Sequence, residues 1–156
     1  MSELTHFNKA GRAKMVDVSE KKITARVAKA SGKIYMSKET INKVLSGHMN
    51  KGDVLAVAQV AGINGAKKTW ELIPMCHNLL LTGVDIEFTV DDCHCYIEAV
   101  AEVKTQGNTG VEMEALTAVN IALLTVYDMC KAIDKRMYIE EVKLIEKQGG
   151  KSDFSL

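Results

Sequence analysis

Thiol and imidazole side chains are concentrated in two short segments of this 156-residue chain. The first is Pro74–Asn78 (PMCHN), which holds the chain's only proline, and the second is Cys93–Cys95 (CHC). Cysteine and histidine bind zinc, and a thiol activated by an imidazole is a common catalytic nucleophile. These residue types therefore allow a zinc site, a Cys/His nucleophile pair, or a structural turn set by the proline.

The spacing argues against the first two alternatives. Structural zinc sites usually present pairs such as C-x2-C or H-x3-H, and neither segment has one. Adjacent side chains such as Cys76 and His77 tend to diverge, which separates a base from its thiol. We predict no metal site, and we expect Cys93, Cys95 and Cys130 to be small buried hydrophobic residues in strands or helices. His77 follows a proline-fixed loop, where functional side chains are common, but a structural histidine is the stronger interpretation.

A second group of candidates lies on the apolar segment 111–134, which reads as the longest helix. Glu112 and Glu114 fall in its first turn, while Asp128 and Lys131 are three residues apart near its end and share a face. An exposed ion pair is the ordinary interpretation, but the apolar neighbours of Asp128 suggest partial burial. A buried lysine would then transfer a proton or bind phosphate. Burial would lower the Lys131 pKa and the carboxylate would raise it, and the sequence leaves both open.

The length of this helix constrains the site. Glu114 and Asp128 are 14 residues apart, which is about 21 Å on a straight helix. Either the two ends serve different sites, or a second copy packed antiparallel brings the opposite ends together.

The same segment has almost no polar face. Its apolar residues are Met113, Leu116, Val119, Ile121, Ala122, Leu123, Leu124 and Val126. A two-layer domain of this size covers only one side of such a helix, so we predict an obligate oligomer.

Composition narrows the class of protein. Lysine plus arginine and aspartate plus glutamate are equal at 20 each, and 47% of residues are hydrophobic, which fits a folded domain and disfavours nucleic-acid binding. We expect one domain over residues 1–156, with no membrane span and no leader, and a cytoplasmic location with reduced thiols.

The pattern of apolar residues predicts seven elements, with two helices between the first two strands. Residues 1–20 form an irregular arm, and the Gly-rich tail at about 148–156 is flexible. The elements are a strand at 22–36 bent near Gly32, a helix from the Ser37 cap to Gly47, a helix at 54–73 capped by Asp53, strands at 84–90 and 93–106, a helix at 111–134 and a strand at 137–147. This order predicts an α+β, ferredoxin-like βαββαβ two-layer sandwich with an antiparallel sheet. Gly62 and Gly65 should let another helix or chain approach closely.

Two glycine-containing stretches look like phosphate loops. Neither GINGAKKT nor KQGGKS fits the pattern G-x4-G-K-[ST], so we predict no nucleotide-hydrolase loop. The tail glycines with Lys147 and Lys151 form either a mobile anion-binding flap or a solvated end.

Four stretches together resemble a known family. They are residues 51–88 (KGDVLAVAQVAGINGAKKTWELIPMCHNLLLTGVDIEF), 109–139 (TGVEMEALTAVNIALLTVYDMCKAIDKRMYI), 15–28 (MVDVSEKKITARVA) and 147–152 (KQGGKS). Over roughly residues 4–152 the chain resembles the MoaC family, the cyclic pyranopterin monophosphate synthases of molybdenum cofactor biosynthesis.

The resemblance implies a ferredoxin-like subunit and a homohexamer, a trimer of dimers with active sites at the dimer interface. It also implies a phosphorus–oxygen lyase whose nucleotide-derived substrate is (8S)-3′,8-cyclo-7,8-dihydroguanosine 5′-triphosphate. The products are cyclic pyranopterin monophosphate and pyrophosphate. No cofactor is required, although Mg²⁺ can accompany the triphosphate.

The resemblance also assigns residues. Lys51 and Lys131 match lysines that do acid–base work and bind phosphate, and Asp128 matches a catalytic aspartate that can orient Lys131. The remaining matches are to substrate-binding or active-site positions: Met75, Cys76, His77, Glu112, Met113, Glu114, Arg26 and Lys147. The chain departs from the family pattern at Asn8, Met75 and Asn78, and the last two border the segment that holds His77.

Two other hypotheses stay open at this point. A non-catalytic oligomeric module would use the same charged pairs as interface salt bridges, although Lys51, His77 and Lys131 together argue against it. A zinc protein would use the Cys/His segments, and metal analysis of the purified protein would test it.

Overall fold

The structure, a computed structural model, describes residues 6–47, 49 and 51–156. The predicted arm therefore lies partly outside the described residues. The elements are β1 (Thr24–Tyr35), α1 (Lys38–Ser46), α2 (Val54–Lys67), α3 (Thr69–Leu72), β2 (Leu81–Asp91), β3 (Tyr96–Gly107), α4 (Glu112–Cys130), β4 (Tyr138–Gln148) and β5 (Phe154–Ser155).

The strands form one antiparallel sheet in the order β2-β3-β1-β4-β5. Alternation along β1 shows how its faces differ, because successive side chains of a strand point to opposite sides. Ala28, Ala30 and Ile34 are fully buried on the helix side. On the other side Lys29 forms ion pairs with Glu102 at 3.2 Å and with Glu146 at 3.3 Å. The predicted α+β class and antiparallel sheet are confirmed, with helices packed on one face.

Small residues let α2 and α4 pack closely, as the spacing of Gly62 and Gly65 predicts. A methyl group built on Gly65 would lie 2.8 Å from Ile121 Cγ1, and one on Gly62 would lie 2.9 Å from the Ala118 carbonyl oxygen. Such distances are shorter than ordinary packing contacts, so the two glycines are what allow this approach. The helix that approaches is α4 of the same chain.

Local capping fixes where the first two helices begin. The Ser37 side chain accepts a hydrogen bond from the Thr40 N–H, and the Asp53 side chain accepts one from the Ala56 N–H. Both side chains satisfy amides that have no partner within the helix. Both predicted N-caps are confirmed, and Gly47 ends α1 in the left-handed conformation.

Two predicted elements are wrong in their bounds. The helix predicted over 54–73 is interrupted at Lys68, where the buried Thr69 hydroxyl donates to the carbonyls of Gly65 and Ala66. The strand predicted from Cys93 begins only at Tyr96, since residues 92–95 form a turn. Moreover, β4 is irregular opposite β1 between Ser31 and Lys33, next to the predicted bend, and β5 was not predicted.

The helix α4 is long and apolar enough to cross a membrane by length and composition alone. Half of its apolar stretch is nevertheless buried inside the fold, between the sheet and α2. Core helices of folded domains share this composition, and the packing identifies α4 as such a helix.

Candidate functional site

The first turn of α4 faces the loop that follows α3. Glu112, Met113 and Glu114 line a cavity of about 260 Å³ together with Met75, Cys76 and His77. His6, Val16 and Val18 of the N-terminal arm also line this cavity, as does the adjacent Lys21. The structure thus brings together all six of the substrate-binding residues predicted on these two segments.

A cationic cavity of about 580 Å³ adjoins the first one. Both cavities are lined by Lys21, Thr109, Gly110 and Glu112. Arg26 from β1 and Lys147 from β4, both matched above to active-site positions of the family, line the second cavity. Lys151 of the tail also lines this cavity, together with three charged residues that the sequence did not single out, Glu20, Lys21 and Lys22.

Arg26 and Lys147 both form side-chain hydrogen bonds beside the larger cavity. Lys147 Nζ lies 2.8 Å from Glu112 Oε1, and Arg26 Nε donates to the Gly107 carbonyl oxygen at 2.8 Å. Burial by itself would raise the pKa of Glu112. The pair with Lys147, a backbone hydrogen bond and the charge of Arg26 together outweigh burial, so the pKa lies below its usual range. Glu112 is therefore a charged carboxylate that holds Lys147.

Glu114 behaves differently from its neighbour. Only 4% of its surface is exposed, and burial raises its pKa to about 7, with a further contribution from the negative charge of Glu112. Two carboxyls on one helical turn therefore have different protonation behaviour. Near neutral pH, Glu114 can both donate and accept a proton, which suits general acid–base catalysis.

His77 is tied to the arm. Its Nε2 lies 2.7 Å from the main-chain oxygen of Val16, which can only accept, so Nε2 carries the proton in this arrangement. A second bond joins Asn108 Nδ2 to the Val18 oxygen at 3.0 Å. Burial, followed by the charge of Glu114, raises the pKa of the Cys76 thiol. Cys76 therefore suits lining the pocket better than nucleophilic attack.

The other end of α4 carries the second predicted group. Asp128 Oδ1 lies 2.6 Å from Lys131 Nζ, and Lys51 Nζ lies 3.2 Å from Asp128 Oδ2 and 3.1 Å from its main-chain oxygen. Hydrogen bonds from Lys131 and then Lys51 lower the pKa of Asp128, and Asp128 in turn raises the pKa of Lys131. The carboxylate, rather than burial, therefore determines the direction of the Lys131 pKa shift. All three side chains are exposed, so the partial burial suggested by the apolar neighbours of Asp128 is wrong.

Within one chain the two groups remain separate. Glu114 lies in the first turn of α4 and Asp128 in the last, 14 residues later, which corresponds to about 21 Å along the helix. The predicted residues therefore form an N-terminal group (Met75, Cys76, His77, Glu112, Met113, Glu114, Arg26 and Lys147) and a C-terminal group (Lys51, Asp128 and Lys131). We keep these two names below.

The cysteine-rich segments offer no metal cluster. Among the described residues no group of three or more His, Cys, Asp and Glu side chains is placed to hold a metal ion. The expectation that Cys93, Cys95 and Cys130 are all buried is wrong for Cys93, which is exposed in the β2–β3 turn, and Cys95 is only half-buried. Cys130 is buried, as expected.

Fold and charge distribution together define a class: a small α+β protein with a cationic pocket and acid–base carboxylates, suited to a phosphorylated small molecule. The MoaC family model matches residues 15–150. Cyclic pyranopterin monophosphate synthase of Heliobacterium modesticaldum is 57% identical over 97% of this chain and 96% of that protein. The proteins of the same name from Brevibacillus brevis and Clostridium acetobutylicum are each 60% identical, over 96% and 97% of this chain and 93% and 95% of their own lengths. The chain belongs to the MoaC family.

Proposed function

We propose that the chain is a cyclic pyranopterin monophosphate synthase, a lyase of molybdenum cofactor biosynthesis. It converts (8S)-3′,8-cyclo-7,8-dihydroguanosine 5′-triphosphate to cyclic pyranopterin monophosphate and pyrophosphate. The observation that carries the proposal is identity of 57–60% to synthases over nearly the whole chain. The chemistry of the two groups of residues supports it.

The N-terminal group suits a triphosphate. Arg26 and Lys147 line the larger cavity beside Lys21, Lys22 and Lys151. Clustered cations stabilise the charge that develops on a leaving pyrophosphate. Glu112 holds Lys147 in this wall, since the two side chains form an ion pair.

Ring opening and reclosure move protons onto and off carbon, nitrogen and oxygen, so the reaction needs several acids and bases. In the C-terminal group Lys131 is held as an ammonium beside a charged Asp128, and it can donate a proton or stabilise a phosphate oxygen. In the N-terminal group Glu114 titrates near pH 7 and can exchange a proton with the substrate. Asp128 positions both Lys51 and Lys131.

One substrate reaches both groups only if two copies contribute to each site. We propose an antiparallel two-fold dimer in which the C-terminal group of one chain lies beside the N-terminal group of the other, and a homohexamer built as a trimer of such dimers. Exposed apolar side chains on α2 and α4 support an interface: Val57 is 45%, Val60 is 60% and Leu124 is 53% exposed. A two-fold axis places the same surface of both chains in the interface, so each dimer has two equivalent sites.

The finer features of the proposal follow from the same reasoning. A ferredoxin-like topology is supported by the order β2-β3-β1-β4, in which β3 lies between β1 and β2. We propose that no resident cofactor is needed because lysines and carboxylates can carry the protons and charges, and that any Mg²⁺ enters bound to the substrate's triphosphate. We also propose that the enzyme acts in the cytoplasm.

The test is turnover of the cyclised nucleotide, followed by release of pyrophosphate and by the cyclic phosphate product. We expect Lys51→Ala and Lys131→Ala each to lower turnover by about 100-fold or more, as for loss of an acid–base group. Lys43→Ala is the matched control, because Lys43 is an exposed lysine paired with Glu39 on α1. Absence of product with the wild-type protein, or unchanged turnover in both site variants, would refute the assignment.

A further inference from the structure

The turn between β2 and β3 holds two thiols that the proposed function does not use. Cys93 is exposed and Cys95 is half-buried. The register of β1 with β3 pairs Tyr35 with Tyr96 beside this turn and Thr24 with Gly107 at the other end. These ends are about 36 Å apart at ~3.3 Å per residue, so the turn is remote from the N-terminal group.

Hydrogen bonds to Asp91 fix the shape of this turn. Its Oδ1 accepts the N–H of Cys93 at 3.0 Å and the N–H of His94 at 2.8 Å, and its Oδ2 lies 2.9 Å from His94 Nδ1. Cys95 adopts a left-handed conformation with φ of 59°. The backbone that carries both cysteines is therefore held in a tight reversal.

Both thiols contact oxygen atoms of Asp92. Cys93 Sγ is 3.8 Å from Asp92 Oδ1, and Cys95 Sγ is 3.8 Å from the Asp92 main-chain oxygen. Residues two apart cannot have Cα atoms more than about 7 Å apart even in extended chain, and a turn shortens this distance. Disulfides need Cα atoms roughly 4.4–6.8 Å apart, and the spacing of Cys93 and Cys95 allows such a distance.

The remaining two thiols provide an internal contrast. Burial raises the pKa of Cys130 to about 11 from an ordinary value of 9.0, with a further contribution from Asp134. At neutral pH a thiol with that pKa is ionised about a hundredfold less than an ordinary thiol, and only the thiolate attacks a disulfide. Burial also raises the pKa of Cys76. Cys76 and Cys130 should therefore be poor nucleophiles, whereas Cys93 is exposed to a reagent.

Metal binding by Cys93 and Cys95 is less well supported than thiol–disulfide exchange. Zinc prefers four ligands in a tetrahedron, and among the described residues no group of three or more suitable side chains is present. Two neighbouring thiols without further ligands are instead the arrangement in which one thiol can resolve a mixed disulfide formed by the other.

We propose that Cys93 and Cys95 form a reversible redox site that is oxidised by a low-molecular-weight disulfide. The exposed Cys93 thiolate attacks one sulfur of the reagent, which forms a mixed disulfide and releases one thiolate. The Cys95 thiolate then attacks Cys93 Sγ, which closes the protein disulfide and releases the second thiolate. Two protein thiols are oxidised and one disulfide is reduced to two thiols, so atoms and electrons balance.

The experiment treats the native, reduced oligomer with oxidised glutathione at neutral pH and follows the intact mass and the peptide map. We expect one intramolecular Cys93–Cys95 disulfide, seen as a loss of two hydrogen atoms and reversed by dithiothreitol. Cys95→Ser should stop the reaction at a glutathione adduct on Cys93, and Cys93→Ser should lose the intramolecular disulfide. Cys76 and Cys130 in the same sample are the matched controls, and they should react at least about tenfold more slowly.

Three results would overturn the proposal. These are no reaction at the turn, a glutathione adduct that accumulates on Cys93 in the wild-type protein, and a disulfide between two chains. A metal-free sample is used throughout, so that bound metal does not protect the thiols. The outcome is independent of the synthase assignment, because the assay needs no substrate and no turnover.

Discussion

Replacing Glu114 by glutamine should make the protein more stable above neutral pH, with an effect of no more than about 1 kcal/mol at pH 5. Glu114 has a pKa of about 7 in the fold, compared with 4.5 for an ordinary glutamate. Between these values the folded chain holds a proton that the unfolded chain releases, so the free energy of unfolding falls as pH rises through this range. This difference in pKa lowers the free energy of unfolding by about 3 kcal/mol above pH 7.

Glu114→Gln removes this titration and keeps the shape of the neutral side chain. Urea unfolding from pH 5 to pH 8 measures the effect, at one protein concentration because the stability of the proposed oligomer would depend on concentration. We expect the variant to exceed the wild-type protein by up to about 3 kcal/mol at pH 8. Glu87→Gln, an exposed carboxyl on β2, is the control and should follow the wild type. Parallel pH profiles for wild type and Glu114→Gln would refute the buried, proton-holding carboxyl.

Three further substitutions test separate contacts. Gly110→Ala places a methyl group where the Glu112 carboxylate lies, so we expect loss of the Lys147 pair and a higher KM; an unchanged KM would contradict this. Gly65→Ala brings a methyl group 2.8 Å from Ile121 Cγ1 and should lower the free energy of unfolding by about 1–3 kcal/mol. The control is Gly83→Ala, whose methyl group meets only Lys104 at 3.8 Å. Equal stability of the two variants would show that the helices simply separate. Asp128→Asn removes the carboxylate that raises the pKa of Lys131, so the pH–rate limb that reports this lysine should move to lower pH; an unmoved limb would assign that limb to another group.

Local sequence signals predicted the features that depend on a few neighbouring residues. The Ser37 and Asp53 caps each need only the amide three residues later. Asp128 and Lys131 meet because residues three apart share a helix face, and their contact is 2.6 Å. Lys51 meets Asp128 across 77 positions of the chain, and only the family resemblance could place it there.

Features that depend on tertiary structure could not be predicted in the same way. The break after α2 depends on the Thr69 hydroxyl reaching two carbonyls in a buried position. The cysteines after Asp91 alternate with polar residues as in a strand, but the Asp91 carboxylate binds two amides and extends the turn to Cys95. Composition cannot show whether the strand or the turn bound by Asp91 has the lower free energy.

The cationic cavity was only partly predicted for a similar reason. Lys21 and Lys22 precede β1, and Lys151 follows β4, and the antiparallel pairing of these strands places them at one end of the sheet. The run Glu20-Lys21-Lys22 before the strand that carries Arg26 was the available signal. It becomes informative only when the strand order is known.

The most direct test of the central claim mixes two inactive variants in one oligomer. Lys131→Ala disables the C-terminal group and His77→Ala disables the N-terminal group. If each site combines opposite ends of α4 from two chains, random mixing makes half of the dimers mixed, and each mixed dimer has one intact site of two. Co-expression should therefore restore about a quarter of the wild-type activity. Activity no greater than that of the two variants assayed separately would contradict the shared site.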